Sequence, residues 1–226
     1  MDSRKKALLS QIIRQYVKSA LPVGSKLLEA SSRLGVSSAT IRNEMADLEK
    51  DGYIIQPHTS AGRIPTEKGY RFFLENYVQA GRITDREKKA IQNVLKKGSV
   101  ESSVKEVAKK LAEFSQNAVI AAFSDSNIYY TGLANLFSQP EFKQAEMVYN
   151  ISLVIDHLEQ VVERIFNEVD QTLVKIGSDN PFGQDCSSVL GRWQINSQSG
   201  IMAILGPMRM DYEKNLGLIN YLNREI

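Results

Sequence analysis

Cysteine, tryptophan and histidine are nearly missing from this chain, which has one Cys, one Trp and two His among 226 residues. A single thiol, Cys186, excludes an intramolecular disulfide framework and reads as an ordinary packed thiol. His58 and His157 lie far apart in sequence, so with Cys186 they offer no zinc-ligand spacing. A phosphate-cradling P-loop, a dinucleotide-binding glycine fingerprint and a helical zinc-protease motif are all missing too. The expectation is a protein that is not an enzyme, with no catalytic residue, no metal and no cofactor. No apolar amino-terminal stretch suits a signal peptide and no run reaches bilayer-spanning length, so a cytoplasmic protein without a membrane partner is expected. Asn150-Ile151-Ser152 has the form of a glycosylation acceptor but falls inside an expected helix, and reads as chance.

Excess charge is also lacking, at a net +2, yet its distribution is uneven. Residues 1–80 hold twelve basic against eight acidic side chains, or +4, and residues 81–113 hold nine against five, another +4. Residues 114–226 carry seven against thirteen, or −6. A basic amino-terminal half beside an acidic remainder suggests a head that meets a polyanion and a differently employed body.

What is present is concentrated between Gly35 and Arg71. Ser37 can cap free amides, and Ile41, Met45 and Leu48 follow at helical spacing on one inward face, with Gly52 as the stop. The other face presents Ser38, Thr40, Arg42, Asn43 and, a turn later, Asp47. Short hydrogen-bonding side chains at the amino-terminal end of a helix are suited to a major groove. Upstream, Leu8, Leu9, Ile12, Ile13, Tyr16 and Val17 predict an amphipathic first helix. Ser25 is expected to cap a short helix carrying Leu27, Leu28 and Leu34, and the corner from Leu34 to Ser37 to join the two helices of a helix-turn-helix.

Downstream, Tyr53 to Ile55 and Arg63 to Pro65 predict two short strands around a tip from Pro57 to Gly62. His58, Thr59, Ser60 and Arg63 lack apolar surface to pack but can donate to phosphates or enter a minor groove, as a wing does. Thr66 is expected to cap a helix whose Tyr70, Phe73, Leu74 and Tyr77 face the domain.

The run from Val36 to Glu49, the run Gln56-Pro-His-Thr-Ser-Ala-Gly-Arg-Ile-Pro-Thr and Lys68-Gly-Tyr-Arg resemble the heat-inducible transcription repressor HrcA family. Farther along, Gly132-Leu-Ala-Asn-Leu-Phe, Gln139-Pro-Glu-Phe, Ile176-Gly and Gly206-Pro-Met-Arg-Met-Asp-Tyr resemble the same family's carboxy-terminal domain. The resemblance implies a dimeric repressor bound to an inverted-repeat operator upstream of chaperone genes, with activity dependent on a GroEL-type chaperonin. It also implies a GAF-like domain interrupted by an inserted dimerisation region. Much of that centre is missing here, because the expected strand 119–123 passes through a turn at Asp125, Ser126 and Asn127 straight into Ile128 to Thr131.

Between the two matched regions, Ile91, Val94 and Leu95, then Val104, Val107, Leu111 and Phe114, predict two helices with lysines outward. That lysine face reads as solvated surface; a sharper reading makes these helices the dimer seam. The rest alternates strands near 118–123, 128–132, 172–176, 187–194 and 200–205 with a helix over 141–168 and a final helix from 211. The stripe from Met147 to Phe166 reads as core. Gly206, Pro207 and Arg209 could bind an anion at the last helix, although a sharp turn capped by Asp211 is preferred.

The expected architecture is α+β: a winged helix-turn-helix domain at 1–80, a helical linker at 81–117 and a small reduced GAF-like α+β domain at 118–226. The expected function is repression of chaperone genes by a homodimer on double-stranded operator DNA, released on heat stress. Its DNA-binding residues would be Ser37, Ser38, Thr40, Arg42 and Asn43 on the helix and His58, Thr59, Ser60 and Arg63 on the wing. The alternatives are a winged-helix regulator that senses a small molecule through its carboxy-terminal domain, and an interaction module that no longer binds DNA.

Overall fold

The computed structural model describes residues 1–31, 35–95 and 98–225. It divides into two compact units, Met1–Val78 and Gln79–Ile226.

The first unit opens with α1 (Ser3–Ser19), started by Asp2, whose carboxylate accepts from the Lys5 N–H at 2.8 Å. That backbone hydrogen bond holds the Asp2 carboxyl below the usual carboxylate range. Leu8, Leu9, Ile12 and Ile13 are fully buried, as their spacing requires. α2 (Ser25–Ser31) differs from expectation at its start, since the Leu28 N–H donates to the Gly24 carbonyl. Gly24 thus holds the capping position, and Ser25 is a buried first-turn residue rather than the cap. Leu34 lies outside the described residues; Gly35, in the expected corner, has φ +66, a left-handed turn conformation that glycine adopts without strain.

α3 (Ser38–Lys50) follows, then β1 (Ile54–Ile55), β2 (Ile64–Pro65) and α4 (Glu67–Tyr77). The strands pair antiparallel with Ile54 opposite Pro65 and Ile55 opposite Ile64, each one residue shorter than the sequence suggested. Thr66 caps α4 by accepting from the Gly69 N–H, and Tyr70 and Phe73 bury against α1. The core of this unit is therefore built from α1, α3 and α4 together with Val23, Leu28 and Ile54.

The second unit is a five-stranded antiparallel sheet covered by helices. After α5 (Asp85–Leu95) and α6 (Val100–Ser115) come β3 (Ala118–Ala122), β4 (Ile128–Thr131), α7 (Leu133–Phe137), α8 (Ala145–Asp156) and α9 (Leu158–Ile165). β5 (Leu173–Ile176), β6 (Cys186–Ile195), β7 (Gln198–Pro207) and α10 (Tyr212–Glu225) complete it. The strand order is β4-β3-β7-β6-β5. Alternation sends Ala118, Ile120, Ala122, Ile201, Ala203 and Leu205 into one core with Leu136, Ile151, Leu158, Val161 and Val162 from the helices. On the opposite face α10 lies so close to β6 that a Cβ on Gly191 would meet Ile219 at 2.4 Å.

Two further expectations need correction. Residues 141–168 are not one helix: a 3-10 turn at Pro140–Lys143 precedes α8, and the chain breaks at His157 before α9. A straight helix of that length would run about 42 Å, whereas the ten-residue strands β6 and β7 span about 33 Å. The break lets both halves keep their apolar faces on one core, and the stripe from Met147 to Phe166 is core as expected. The stretch expected as a linker, 81–117, is packed within the second unit. α6 buries Val104, Val107, Ala108, Leu111 and Ala112, and the Gly81 N–H donates to the Glu213 carbonyl at 2.7 Å. Of the apolar residues that a dimer seam would have used, Ile91, Val104, Val107 and Leu111 are buried inside the unit and Val94, Leu95 and Phe114 are half-buried, while Lys105, Lys109 and Lys110 pair outward with Glu101, Glu106 and Glu113. Among the described residues, no helix is long and apolar enough to cross a membrane.

Candidate nucleic-acid interface

α3 is organised so that one face is buried and the acidic side chains Glu44 and Asp47 are ion-paired from α1. Ser37, extended at φ −68 and ψ 159, accepts from the Thr40 N–H through its hydroxyl at 3.3 Å. A second acceptor reinforces the same end, since the Glu29 carboxylate takes the Ser38 N–H at 3.0 Å. The helix closes on Gly52 at φ +78: the Tyr53 N–H reaches back to the Leu48 carbonyl and the Gly52 N–H to that of Glu49, a Schellman arrangement.

With Ile41, Met45 and Leu48 inward, Ala39, Arg42, Asn43 and Ala46 are exposed, and Ser38 and Thr40 are half-buried at the helix start. The basic start of α1 neutralises two carboxylates of α3. Glu44, buried, receives the Arg4 guanidinium, and Asp47 receives Lys5 Nζ at 2.7 Å. The latter hydrogen bond raises the Lys5 pKa. Arg42 has no ion-pair partner among the described residues, so its charge faces outward uncompensated.

The hairpin is held against the segment that precedes α2 as well as against α3. Val23 and Arg63 exchange backbone hydrogen bonds at 2.8 and 2.9 Å, a bridge adding a third short strand to the pair. This approach needs glycine at Gly62, where a Cβ would sit 2.5 Å from the Val23 carbonyl carbon and oxygen. At the tip His58, Thr59 and Ser60 are exposed. The tip's backbone is closed internally, because the Gln56 side-chain amide donates to the Thr59 and Ala61 carbonyls at 2.9 and 3.0 Å.

Of the residues anticipated from sequence, Arg42, Thr59, Ser60 and Arg63 line one cleft of about 450 Å³ between the start of α2, α3 and the hairpin. Ser37, Ser38, Thr40, Asn43 and His58 lie outside that lining. Arg63 differs from the others in its commitment: its guanidinium is bound to Glu49 at 2.9 Å, with the side chain 18% exposed. Three residues of the site went unnoticed in the sequence. Lys26 and Gln56 also line the cleft, and Glu49 holds Arg63 from below. The Lys-Leu-Leu run at the start of α2 signals Lys26; nothing local signals Glu49, whose partners lie across a turn.

Elsewhere, Arg209 is not open to an anion, since its guanidinium is paired with Glu141, and Asp211 caps α10 by accepting from the Lys214 N–H at 3.1 Å. The turn reading of that motif holds.

A family model described as the HrcA protein C-terminal domain matches residues 70–216. The chain belongs to the HrcA family. A heat-inducible transcription repressor HrcA from Desulfitobacterium hafniense is 25% identical over 333 residues, covering 100% of this chain and 96% of that protein. The HrcA repressor of Thermoanaerobacter pseudethanolicus is 28% identical over 329 residues, covering 100% and 96%. That of Kineococcus radiotolerans reaches 46% over 123 residues, or 54% of this chain and 36% of its own. Alignments of 333 and 329 positions against 226 residues leave about a hundred positions without a counterpart here, so this is a shortened HrcA protein. Consistent with that, β3 and β4 are joined by the short segment 123–127. The crystal structure of a hypothetical protein, 19% identical, superposes with a TM-score of 0.75 over 99% of this chain and 97% of that one, and so shares the fold.

Proposed function

We propose that this chain represses transcription of heat-shock genes by occupying promoter DNA, with residues 1–80 acting as a winged helix-turn-helix head. The observation that carries the reading is Arg42. It is an exposed, uncompensated cation on a helix whose acidic neighbours are neutralised from α1, beside a cleft it shares with Lys26, Thr59 and Ser60. Ser38, Thr40, Arg42 and Asn43 would face base edges in the major groove, while His58, Thr59 and Ser60 would meet the phosphate backbone or minor groove. Ser37 serves chiefly as the cap.

One small head buries too little surface for operator affinity, so a homodimer would read both halves of an inverted repeat. The second unit is read as a reduced GAF-like domain. Release on heat would follow if that unit is marginally stable and its unfolding separates the dimer, with a GroEL-type chaperonin restoring the active fold. Dimer and chaperonin are carried over from the resemblance to the family, whose members named here are repressors.

The test is binding of the purified protein to a duplex carrying the family's inverted repeat and to a scrambled duplex across a salt series. A preference for the inverted repeat that Arg42→Ala removes is the expected result. Equal, steeply salt-dependent binding to both would leave phosphate contact alone and defeat the operator reading.

A second reading, a regulator that senses a small molecule, is favoured by one observation. A cavity of about 240 Å³ lies between α8 and the loop before β6, lined by Phe142, Met147, Ile151, Phe182 and Cys186, with Asn150 and Asp185 also in its wall. A thermal-shift screen with a metabolite panel separates it from heat release, since only a ligand-responsive body would be stabilised by one of the compounds.

A further inference from the structure

We infer that Glu49 is a positioning residue for duplex binding, its one carboxylate locking the hairpin to α3 and setting the angle between wing and reading helix. The inference rests on the DNA-reading proposal and adds to it a residue that touches no DNA. Oε1 of Glu49 accepts from the Gln56 N–H at 2.9 Å, just beyond β1. Oε2 accepts from Arg63 Nε at 2.9 Å and lies 2.9 Å from the second guanidinium nitrogen, just before β2. One side chain from the last turn of α3 therefore grips both arms of the hairpin at the tip-side ends of its strands.

The grip is needed because the hairpin cannot orient itself. Its strands pair over only two residues each, and an isolated two-stranded ribbon is marginal at best in water. The lock also continues outward: Gln56, held at its N–H by Glu49, closes the tip through its side chain, and Arg63 bridges to Val23 through its backbone. Arg63 consequently acts on DNA through the placement of Thr59 and Ser60, with its guanidinium engaged inside the protein.

Charge alone predicts the opposite outcome of positioning, which makes the question decidable. Glu49→Gln removes a carboxylate beside the proposed DNA surface and frees Arg63, so simple electrostatics would tighten binding to any duplex. Loss of the lock would instead weaken the inverted-repeat complex selectively.

The experiment measures affinity of the full chain for inverted-repeat and scrambled duplexes. In parallel, spin-label distances between Asn43→Cys and Ser60→Cys in a Cys186→Ala background report the hairpin's placement. Glu49→Gln is expected to lower the ratio of the two affinities roughly tenfold or more, as loss of a charge-assisted hydrogen bond would, and to broaden the distance distribution. The charge-reversed double variant Glu49→Arg with Arg63→Glu should recover only part of both, since it restores the ion pair but an arginine has no acceptor for the Gln56 N–H, and it serves as the deciding variant if Glu49→Gln fails to fold. An unchanged affinity ratio, or a distance distribution as narrow as the parent's, overturns the inference. If the parent itself shows no preference between duplexes, the DNA reading fails on its own account. The label pair then decides the lock separately, upheld by broadening and removed by its absence.

Discussion

Arg209 and Glu141, 68 positions apart in the chain, form an ion pair that ties the turn before α10 to the 3-10 turn before α8. Nη2 of Arg209 also donates to Gln139 Oε1 at 2.6 Å and to Glu141 Oε2 at 3.1 Å. Two motifs separated in sequence, Gln139-Pro-Glu-Phe and Gly206-Pro-Met-Arg, are thus halves of one fastening. At 12% and 21% exposure the two side chains are well shielded from solvent.

Removing one partner leaves the other charge without its hydrogen bonds in a partly desolvated place. Arg209→Ala should lower the stability of the full chain by about 2 kcal/mol. Arg209→Lys, which keeps the charge but not the fork, should recover only part of it. Denaturant titration of the variants checks this. Parental stability for Arg209→Ala would mean that the pair contributes nothing.

Most local features were legible in the sequence where a single stretch carried both the signal and its cause, the start of α2 at Gly24 rather than Ser25 being the exception. Ser37 as cap, Gly52 as stop and Thr66 as the next cap each act on neighbours within a few residues, and all three behave accordingly. The break at His157 was not legible, because the apolar stripe from Met147 to Phe166 is consistent with one straight helix and only the size of the sheet beneath it demands two. In the candidate site, the exposure of Arg42 followed from helical spacing. The ion pair of Arg63 with Glu49 was not legible, because a cation in a polar loop looks unpartnered until the fold brings Glu49 under it. Pairings between distant elements are set by tertiary geometry, which composition and periodicity do not encode.

Burial also sets how the second unit responds to alkali. The Cys186 thiol is pushed from its ordinary 9.0 up to about 12, chiefly by burial and secondarily by Asp185. Burial likewise raises the Tyr212 hydroxyl, partly offset by a hydrogen bond with Ser187. Both groups keep their protons longer folded than unfolded, so the stability they contribute is fully present below pH 9 and is lost as pH rises toward 12. The loss should approach about 1.4 kcal/mol per pH unit for each group titrating in the unfolded chain. Denaturant midpoints measured from pH 8 upward should fall, and Cys186→Ala should flatten the earliest part of the decline. A midpoint that holds steady to pH 11 would contradict it.

Gly62 offers a test of the hairpin's seat that substitutes none of the side chains proposed to contact DNA. A Cβ there would press on the backbone of Val23 at 2.5 Å and of Pro22 at 2.8 Å, and backbone cannot rotate away as a side-chain end can. Gly62→Ala should therefore cost about 2 kcal/mol in the first unit and weaken duplex binding by displacing the tip. Amide exchange of Val23 and Arg63, whose mutual hydrogen bonds would open first, reports the displacement directly. Parental protection of both amides would mean that the hairpin accommodates the methyl group where it stands.

Ser37 separates helix capping from DNA contact, the two roles available to a polar residue at the start of α3. Its hydroxyl accepts from the Thr40 N–H, so Ser37→Ala should destabilise the first unit by about 1 kcal/mol. Aspartate caps as well as serine and is favoured by the helix dipole, so Ser37→Asp should restore that stability. The same aspartate would place a carboxylate beside the proposed phosphate path. Duplex affinity should then drop for Ser37→Asp although its fold is intact, whereas Ser37→Ala should bind DNA nearly as well as the parent at temperatures where it remains folded. The crossed pattern, stability restored and affinity lost in one variant, is what melting curves and duplex titrations would show together. If Ser37→Asp binds as tightly as the parent, the amino-terminal end of α3 does not approach a polyanion, and the orientation proposed for the reading helix must be abandoned.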